Sequence, residues 1–234
     1  MRLWLASLAA GTVLAATPAM ARDGAWYVGG DFGAMIVDDT DFDVAGLDDV
    51  ISVDHDYGYD AALFVGYDLG AFRLEAEAAY KKADLEAIDS IIALPGEVGT
   101  NFLLPPGGYD AGGGHTSALS FMINGMLDFG DDEGMNGFVG AGVGIGRVKY
   151  NSFRAFADAR PLFEEDSDSR FAWQVFAGVR QAISDQVDVT VRYRFFNVSN
   201  LEMIAFNGED SDSRFRSHSL LGGLTFNFGA PTPP

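Results

Sequence analysis

The sequence contains no cysteine and only three histidines in 234 residues. The absence of cysteine excludes disulfides, thiolate zinc sites and cysteine nucleophiles. Basic residues are also scarce, because 15 Lys and Arg stand against 34 Asp and Glu, for a formal net charge of −19. Binding to a phosphate backbone requires clustered Lys and Arg, so we expect no interaction with nucleic acid.

Long apolar runs are missing beyond the N-terminal region, so no membrane-spanning helix is expected. The N-terminal region has Arg2, an apolar stretch from Leu3 to Ala16, and a small-x-small site that ends at Ala21. This pattern is typical of a secretory signal peptide, and we predict that residues 1–21 are removed. A spanning helix is the weaker alternative because the apolar run is shorter than about 20 residues.

A different pattern is present in the stretch from Phe171 to Asn197. Two arms alternate between apolar and polar positions and are joined by a short polar turn at 183–186. Such a pattern predicts an antiparallel hairpin. One face is apolar and aromatic, whereas the other carries charged and small residues. A membrane barrel, apolar outside and polar inside, sorts residues in this way.

Eight segments of this type occur, and the connections between them alternate between long and short. Bacterial outer-membrane barrels have short periplasmic turns and long external loops, whereas a soluble sandwich has no reason to keep every second connection short. We therefore predict an all-β fold, an eight-stranded antiparallel up-and-down transmembrane β-barrel over residues 22–229. The predicted strands are 25–36, 57–69, 72–81, 116–129, 136–149, 170–182, 187–196 and 215–228.

Aromatic residues collect at the predicted strand ends, as in the interfacial girdles of membrane barrels. We expect a periplasmic girdle of Trp26, Phe72, Phe129, Phe226 and Phe228, and an outer girdle of Tyr59, Tyr80, Phe171, Trp173, Tyr193 and Phe195.

Four motifs carry a resemblance to a known family: WYVGG at 26–30, FRLEAE at 72–77, FVGAGVG at 138–144 and VRYRF at 191–195. In this order and spacing they resemble the OmpA-type transmembrane barrel, a broad family of eight-stranded outer-membrane barrels that includes opacity-type porins. The resemblance implies a structural, surface-exposed protein of the bacterial outer membrane. Some members have weak pore activity or adhesive loops.

The C-terminal strand resembles the closing-strand signal that the barrel assembly machinery recognises, which implies that machinery as a partner. Gly223, Phe226 and Phe228 match the signal, although Leu221 stands where a polar residue is usual. The Pro-rich tail at 230–234 resembles a linker that leads, in longer relatives, to a peptidoglycan-binding domain. That domain is not in the sequence, so we do not expect anchoring to the cell wall.

Charged residues fall on the predicted inner face of the barrel. Eight strands enclose only enough space for side chains to fill, and buried charges must pair there. We therefore predict a structural ion-pair network that plugs the lumen; the alternative is a gated ion path, as in a narrow porin. The residues are Arg73, Glu75, Glu77, Arg180, Arg192 and Arg194.

Little in the sequence suggests catalysis. His218 lies between Ser217 and Ser219, but neighbours in a strand point to opposite faces and cannot pair directly. We expect no enzymatic activity, no catalytic residue, no cofactor and no metal.

Acidic residues concentrate in the long connections, and the phrase EDSDSRF occurs at both 165–171 and 209–215. We interpret these segments as solvated loop bases that block edge pairing. Calcium binding is the alternative, but the ordered spacing of a calcium loop is missing.

The second long connection contains Leu85, Ile88, Ile91 and Ile92 at helical spacing. This spacing predicts a short amphipathic helix over the barrel mouth. An exposed apolar patch that binds a host surface or a small hydrophobic molecule is the other interpretation.

A soluble lipocalin-like binder would need an apolar interior and a polar exterior, the reverse of the observed sorting. The expected surroundings are therefore outer-membrane lipid, and any surface ligand stays unidentified.

Overall fold

The computed structural model describes residues 24–44, 47–130, 134–162, 166–204 and 210–228. Thirteen β-strands form within these ranges. The predicted signal peptide at 1–21 and the predicted tail at 230–234 lie outside them. Nowhere in the described ranges is there a helix that is long and apolar enough to cross a membrane.

Eight long strands close into an antiparallel barrel, which confirms the predicted fold class. The closing pair joins the first and last strands, from Trp26 opposite Phe228 to Val37 opposite Ser217. The eight strands are β1 (Trp26–Val37), β4 (Gly58–Asp68), β5 (Phe72–Ser90), β9 (Gly113–Phe129), β10 (Met135–Arg154), β11 (Asp166–Ala182), β12 (Val187–Ile204) and β13 (Asp210–Phe228).

The first long connection folds into a hairpin that continues the barrel wall on the external side. Its strands are β2 (Thr40–Val44) and β3 (Leu47–His55), inserted between β13 and β5. The hairpin pairs with β13 through Phe42 and with β5 through Ile51. The wall therefore remains closed where β1 and β4 end.

The second long connection is also β-structure, so the predicted helix around Leu85 to Ile92 is wrong. β5 continues to Ser90 and pairs there with both β3 and β8 (Gly107–Asp110). Burial alternates as in a strand: Ile88 and Ser90 are buried, and Asp89 between them is exposed. Sheet neighbours on both sides satisfy the backbone of this segment, which outweighs the helical spacing of its apolar residues. β6 (Leu94–Pro95) and β7 (Leu103–Leu104) form a small separate pair.

The predicted strand boundaries were too short on the external side. β5, β10 and β12 extend well past their predicted ends, to Ser90, Arg154 and Ile204. The repeated phrase was predicted to lie in loop bases, but most of both copies lies inside β11 and β13. The copies also face opposite ways: Phe171 is 63% exposed, whereas Phe215 is 1% exposed. The two copies differ by one residue in their register relative to the inward and outward positions of the barrel wall, and such an offset moves every side chain to the other face.

Side chains sort by face along every barrel strand. The outer face exposes apolar and aromatic residues, including the predicted girdle residues Trp26, Phe72, Tyr80 and Phe228. On the external side the girdle rings pack against each other at a tilt, for example Trp173 with Phe195 at 5.3 Å between centroids.

The barrel interior has two layers. The lower layer, within the lipid-facing band, is mainly polar and charged and includes a small apolar cluster of Met126, Phe138 and Phe176. The upper layer, enclosed by the external strand extensions, is an apolar cluster that we call the cap core. Its buried members include Phe42, Val50, Ile51, Val53, Ile88, Leu94, Val148, Tyr150, Phe153, Leu162, Phe196, Val198, Leu201 and Phe215.

Candidate functional site

The lower layer of the lumen contains all six residues that were predicted to form the ion-pair network. Each is buried, because alternation along β5, β11 and β12 points every second side chain into the barrel. Further charged residues also occupy inward positions, and they are not among those predicted from the sequence to form the network. The residues joined by ion pairs, which we call the lumen network, are Asp31, Asp60, Arg73, Glu75, Glu77, Lys81, Asp128, Arg180, Arg192 and Arg194.

The periplasmic end of the lumen network is built on Asp128. Arg73 donates to both of its carboxylate oxygens, from Nε and from Nη2, each at 2.6 Å. Arg180 places Nη2 at 3.8 Å from Oδ2 of Asp128 and donates from Nε to Asn136 at 3.2 Å. Two guanidinium groups therefore share one carboxylate, and the bidentate pair fixes the orientation of Arg73.

Arg192 occupies the middle of the lumen network. Its Nη1 lies 3.2 Å from Oδ2 of Asp31, and its Nη2 lies 3.7 Å from Oε1 of Glu75. Tyr27 donates its hydroxyl to the same oxygen of Glu75 at 3.2 Å. The guanidinium also stacks over Phe176, 4.9 Å from the ring centroid. Charge pairing and ring stacking together hold this side chain in one place.

Arg194 forms the upper part of the lumen network. Its Nη2 lies 2.7 Å from Oε2 of Glu77, and its Nη1 lies 3.2 Å from Oδ2 of Asp60. Ser219 donates to the same oxygen of Asp60 at 2.9 Å. Lys81 completes this level, with Nζ 3.6 Å from Oδ1 of Asp60. The Lys81 ammonium lies 4.1 Å from the ring centroid of Phe196, so the charged layer directly contacts the cap core.

Neutral amides fill the space beside the charges. Gln174 donates from Nε2 to Glu77 at 3.2 Å and to Asn124 at 2.7 Å, and Asn124 donates to Glu77 at 3.3 Å. These bonds join β5, β9 and β11 across the lumen. The bond from Gln174 also satisfies Oε1 of Glu77, whereas Oε2 accepts from Arg194 as well as from Asn124.

Glycines on the inner face make room for these side chains. A Cβ on Gly142 would collide with Asn124 Oδ1, and one on Gly223 would collide with Asp31 Oδ1. In the Gly-rich β10, the missing side chain at Gly142 therefore leaves space for Asn124. Gly223, predicted as part of the assembly signal, has this second role in the folded barrel.

Five cations and five carboxylates take part in these ion pairs, and two further carboxylates, Asp68 and Asp188, are buried on the inner face and interact electrostatically with Arg180. Removing an ion from water costs several kcal/mol unless close partners compensate it, and here each cation has a carboxylate within 4 Å. This arrangement ties strands together across the lumen and fills the space between them.

The cap core closes the external side. Tyr150 packs edge-on against Phe42 and Phe153, with centroids 5.3 Å and 5.2 Å apart. Burial raises the pKa of Tyr150 above its ordinary value, and the hydroxyl lies 3.3 Å from that of Ser213. Close apolar packing of this kind excludes water from the space that these side chains fill.

His218 does not form a pair with its neighbouring serines. Ser217 and Ser219 are buried on the inner face, whereas His218 lies outward beside the girdle. Its Nδ1 lies 2.6 Å from the Tyr193 hydroxyl and its Nε2 lies 3.2 Å from Asp38 Oδ1. The opposite orientation of these neighbours agrees with strand alternation.

The acidic segments on the external side form local ion pairs. Arg170 contacts Asp168 at 2.6 Å and Glu202 at 2.7 Å. Burial acts to raise the pKa of Asp168, but the Glu202 amide and the Arg170 guanidinium outweigh burial and lower it. Across the part of the chain that the structure describes, no three His, Asp or Glu side chains are arranged to hold a metal ion.

Phe226 and Phe228 of the predicted assembly signal lie on the outer face of β13, 51% and 54% exposed. Phe228 is directly opposite Trp26 at the seam where the barrel closes.

Comparison with known proteins agrees with this geometry. The family model for "Outer membrane protein beta-barrel domain" matches residues 6–228. The chain belongs to this family. Its members give the location: the protein resides in the bacterial outer membrane, and lipid surrounds its exposed apolar face.

Individual relatives are distant. The outer membrane protein PagN of Salmonella typhimurium is 24% identical over 119 residues, which are 47% of this chain and 49% of PagN. The chain thus spans about half the length of the curated relatives it matches.

Two solved structures share the fold. Neisserial surface protein A has a TM-score of 0.51 and 16% identity, with 88% of this chain and all of that chain covered. OprG of Pseudomonas aeruginosa has a TM-score of 0.57 and 11% identity, with 89% and 97% covered.

Proposed function

We propose that the protein is a structural, surface-exposed component of the outer membrane that presents acidic external segments and does not conduct solutes. The observation that carries this proposal is the direct stacking of the charged lumen network under the apolar cap core. The two layers meet where the Lys81 ammonium lies 4.1 Å from the Phe196 ring.

Both layers resist the passage of ions for physical reasons. In the lower layer, an entering ion must displace a fixed carboxylate or guanidinium from a partner that compensates its desolvation. In the upper layer, an ion must enter closely packed aromatic and aliphatic side chains, where no group replaces its water. Either layer alone supports a closed lumen, and they lie in series. A narrow porin, the competing function, needs a continuous polar path.

The external surface supports the proposed role in presenting acidic segments to the surroundings of the cell. Exposed carboxylates such as Asp84 and Glu202 face solvent on the extended strands, with side chains 70% and 66% exposed. A relative in fold is named a surface protein. We include in the proposal that the barrel reaches the membrane through the assembly machinery, that it binds no nucleic acid and that it is not an enzyme.

A liposome-swelling assay with small neutral and charged solutes tests this function. Liposomes that contain the wild-type barrel should swell no faster than empty liposomes. The double variant Lys81→Ala/Phe196→Ala removes the contact between the two layers and serves as a partly opened comparison. Wild-type swelling that depends on solute size would instead establish the narrow porin.

A further inference from the structure

Strand pairing in the barrel wall is interrupted where the hairpin β2–β3 joins the lipid-embedded strands. The pairing of β1 with β4 ends at Met35 opposite Gly58, and the pairing of β2 with β3 begins at Thr40 opposite Val53. Four residues on each side lie between these points, and none of them belongs to either ladder. These residues, which we call the wall break, are 36–39 and 54–57.

Two carboxyl groups face each other in the wall break. The register is the same below and above it, because equal numbers of residues are skipped on the two sides. Continuing this register places Asp39 directly opposite Asp54, and their carboxyl groups lie within hydrogen-bonding range of each other. Like charges directly opposite in a strand pair destabilise the pairing. The ladder is therefore missing at the point where ionised carboxylates repel.

Backbone amides in the wall break bond to the flanking strands and not across the break. Asp38 donates its amide to the carbonyl of Arg216 on β13 at 3.1 Å. Asp56 donates its amide to the carbonyl of Asp84 on β5 at 2.9 Å. Each side is thus held by a different neighbour, and the Asp39–Asp54 pair is left to join the two sides.

The inward-facing positions also change at the wall break. Below it Met35 and Val37 of β1 are buried, whereas above it Thr40 and Phe42 of β2 are buried. The hydroxyl of Thr40 is fully buried and has no hydrogen-bond partner among the described residues. A buried polar group without a partner destabilises its segment. The wall break is therefore a locally weak part of the wall, where separation costs less than elsewhere.

Acidic neighbours act on the Asp39–Asp54 pair from β5. Partial burial raises the pKa of Asp54 above its ordinary value, and the charge of Asp39 acts in the same direction. The carboxylates of Asp89 and Glu86 on β5 add to this effect. These groups lie beyond the outer girdle, in contact with the external solution. A proton that binds to the pair therefore relieves repulsion from several directions.

Two basic side chains on the flanking strands are paired with other carboxylates. His218 on β13 places Nε2 at 3.2 Å from Asp38, and Lys82 on β5 places Nζ at 3.8 Å from Asp84. Further titratable groups around the wall break are His55 of β3, Asp56, Tyr57, His115 of β9 and Arg216 of β13.

We propose that the wall break is a pH-dependent latch between the lipid-embedded wall and the external hairpin β2–β3. In acidic surroundings one proton shared by Asp39 and Asp54 joins the two sides, and release of that proton to the external water separates them. A carboxyl group whose pKa is raised contributes stability at low pH that is lost as the pH rises. The pH outside the cell thereby sets how freely the hairpin moves, whether or not the lumen is closed.

Hydrogen exchange of the detergent-solubilised barrel at pH 4.5 and pH 7.5, corrected for the intrinsic rate at each pH, tests the latch. Asp54→Asn replaces the shared proton with a permanent amide donor. At pH 7.5 the amides of β2 and β3 should exchange about three- to fivefold more slowly in this variant than in the wild type. At pH 4.5 the difference should shrink to less than about twofold. His55 is the same in both proteins, so its own titration cancels.

Asp56→Asn is the matched control, because it removes the same charge from the same segment at a position opposite Val37. It should change exchange less than about twofold at either pH. Asp39→Asn should reproduce the effect of Asp54→Asn, and the double variant should add little, because either change alone removes the repulsion.

Heat-dependent gel mobility verifies that each variant is folded before exchange is compared. Exchange in Asp54→Asn that stays as fast as in the wild type at pH 7.5 would overturn the proposal. Equal effects of Asp54→Asn and Asp56→Asn would do the same, since they would indicate a general response to net charge. Fully additive effects of Asp39→Asn and Asp54→Asn would show that the two groups act independently and would also overturn it.

Discussion

The guanidinium of Arg194 on β12 and the carboxylate of Glu77 on β5 lie 2.7 Å apart across the lumen, and both side chains are fully buried. The two strands are not neighbours in the sheet, so this pair joins opposite parts of the wall. Arg194 also contacts Asp60 on β4 at 3.2 Å. One side chain therefore holds three strands, which makes it the most informative position in the lumen network.

Replacing Arg194 with Ala should destabilise the barrel strongly. The change leaves Glu77 and Asp60 buried without their closest cation, and breaking a buried ion pair costs about 3–5 kcal/mol. Unfolding by guanidinium chloride in detergent micelles, followed by the heat-dependent gel mobility of the folded form, measures the loss. Arg214→Ala is the control, since Arg214 is half exposed and 3.6 Å from Asp41. Its cost should stay below about 1 kcal/mol, and an equal cost for both variants would contradict a structural role for the network.

Replacing Phe153 with Ala should loosen the cap core while the lipid-embedded part stays folded. Phe153 is buried against Tyr150 and Phe42, and truncation of a buried Phe costs about 3–5 kcal/mol. Hydrogen exchange should accelerate in β2 and β3 and remain slow in the lower part of β13. Phe102→Ala removes the same ring from a position that is 58% exposed and should change exchange little. Uniform acceleration throughout the barrel would show that the cap core is not a separate layer.

Acidification should weaken the cap through His55. Burial lowers the pKa of His55 to about 4 from its ordinary 6.5, although the nearby charge of Asp39 acts in the opposite direction. The unfolded segment gains a proton near pH 6.5, whereas the folded cap does not until about pH 4. The contribution of neutral His55 to the free energy of unfolding is therefore fully present above pH 6.5. It decreases as the pH falls from 6.5 to about 4, by on the order of 3 kcal/mol in total.

Limited proteolysis of β3 and its connections at pH 7 and pH 5 measures the effect of His55. Cleavage should increase at pH 5 in the wild type and change less in His55→Gln, which keeps a group able to bond Thr116. The neighbouring Asp54 acts in the opposite sense, because burial and the charge of Asp39 raise its pKa. Comparison of the two proteins separates the contributions, and identical pH dependence would exclude His55 as the cause.

Replacing Phe228 with Ala should reduce the amount of assembled barrel more than it reduces the stability of barrels that do assemble. Phe228 is exposed to lipid, so little packing is lost inside the protein. Outer-membrane fractionation combined with heat-dependent mobility measures assembly. Phe129→Ala is a close control, because Phe129 is also 54% exposed at the periplasmic end but lies on β9. Equal assembly of the two variants would argue against the closing-strand signal.

The lipid-embedded part of the fold could be predicted well because one rule determines it. A strand that faces lipid on one side and a filled lumen on the other must alternate, and this alternation marked all eight barrel strands. The same rule placed Asp31 and Asp60 inward, yet neither was assigned to the lumen network. Pairing across the lumen depends on barrel register, which period-two patterning along single strands does not specify.

The external part was harder to predict because two surroundings compete there. Within the lipid band, exposed positions are apolar and buried positions are polar. Above the band the outer face meets water, so this relationship no longer holds. Ile88 illustrates this, because its spacing from Leu85 and Ile92 suits a helix, whereas its burial arises from β3 and the cap core. The reversed orientations of Phe171 and Phe215 within the same phrase show that local sequence does not determine which face a strand residue takes.

Conductance across a planar lipid bilayer is the most direct test of the central claim that the lumen is closed. The wild-type barrel, inserted at single-molecule density, should show no steady current at moderate voltage of either sign. In the proposed function, the lumen network and the cap core above it leave no continuous path for water or ions. A stable, ohmic current step on each insertion event would contradict the closed lumen and establish the protein as a narrow porin.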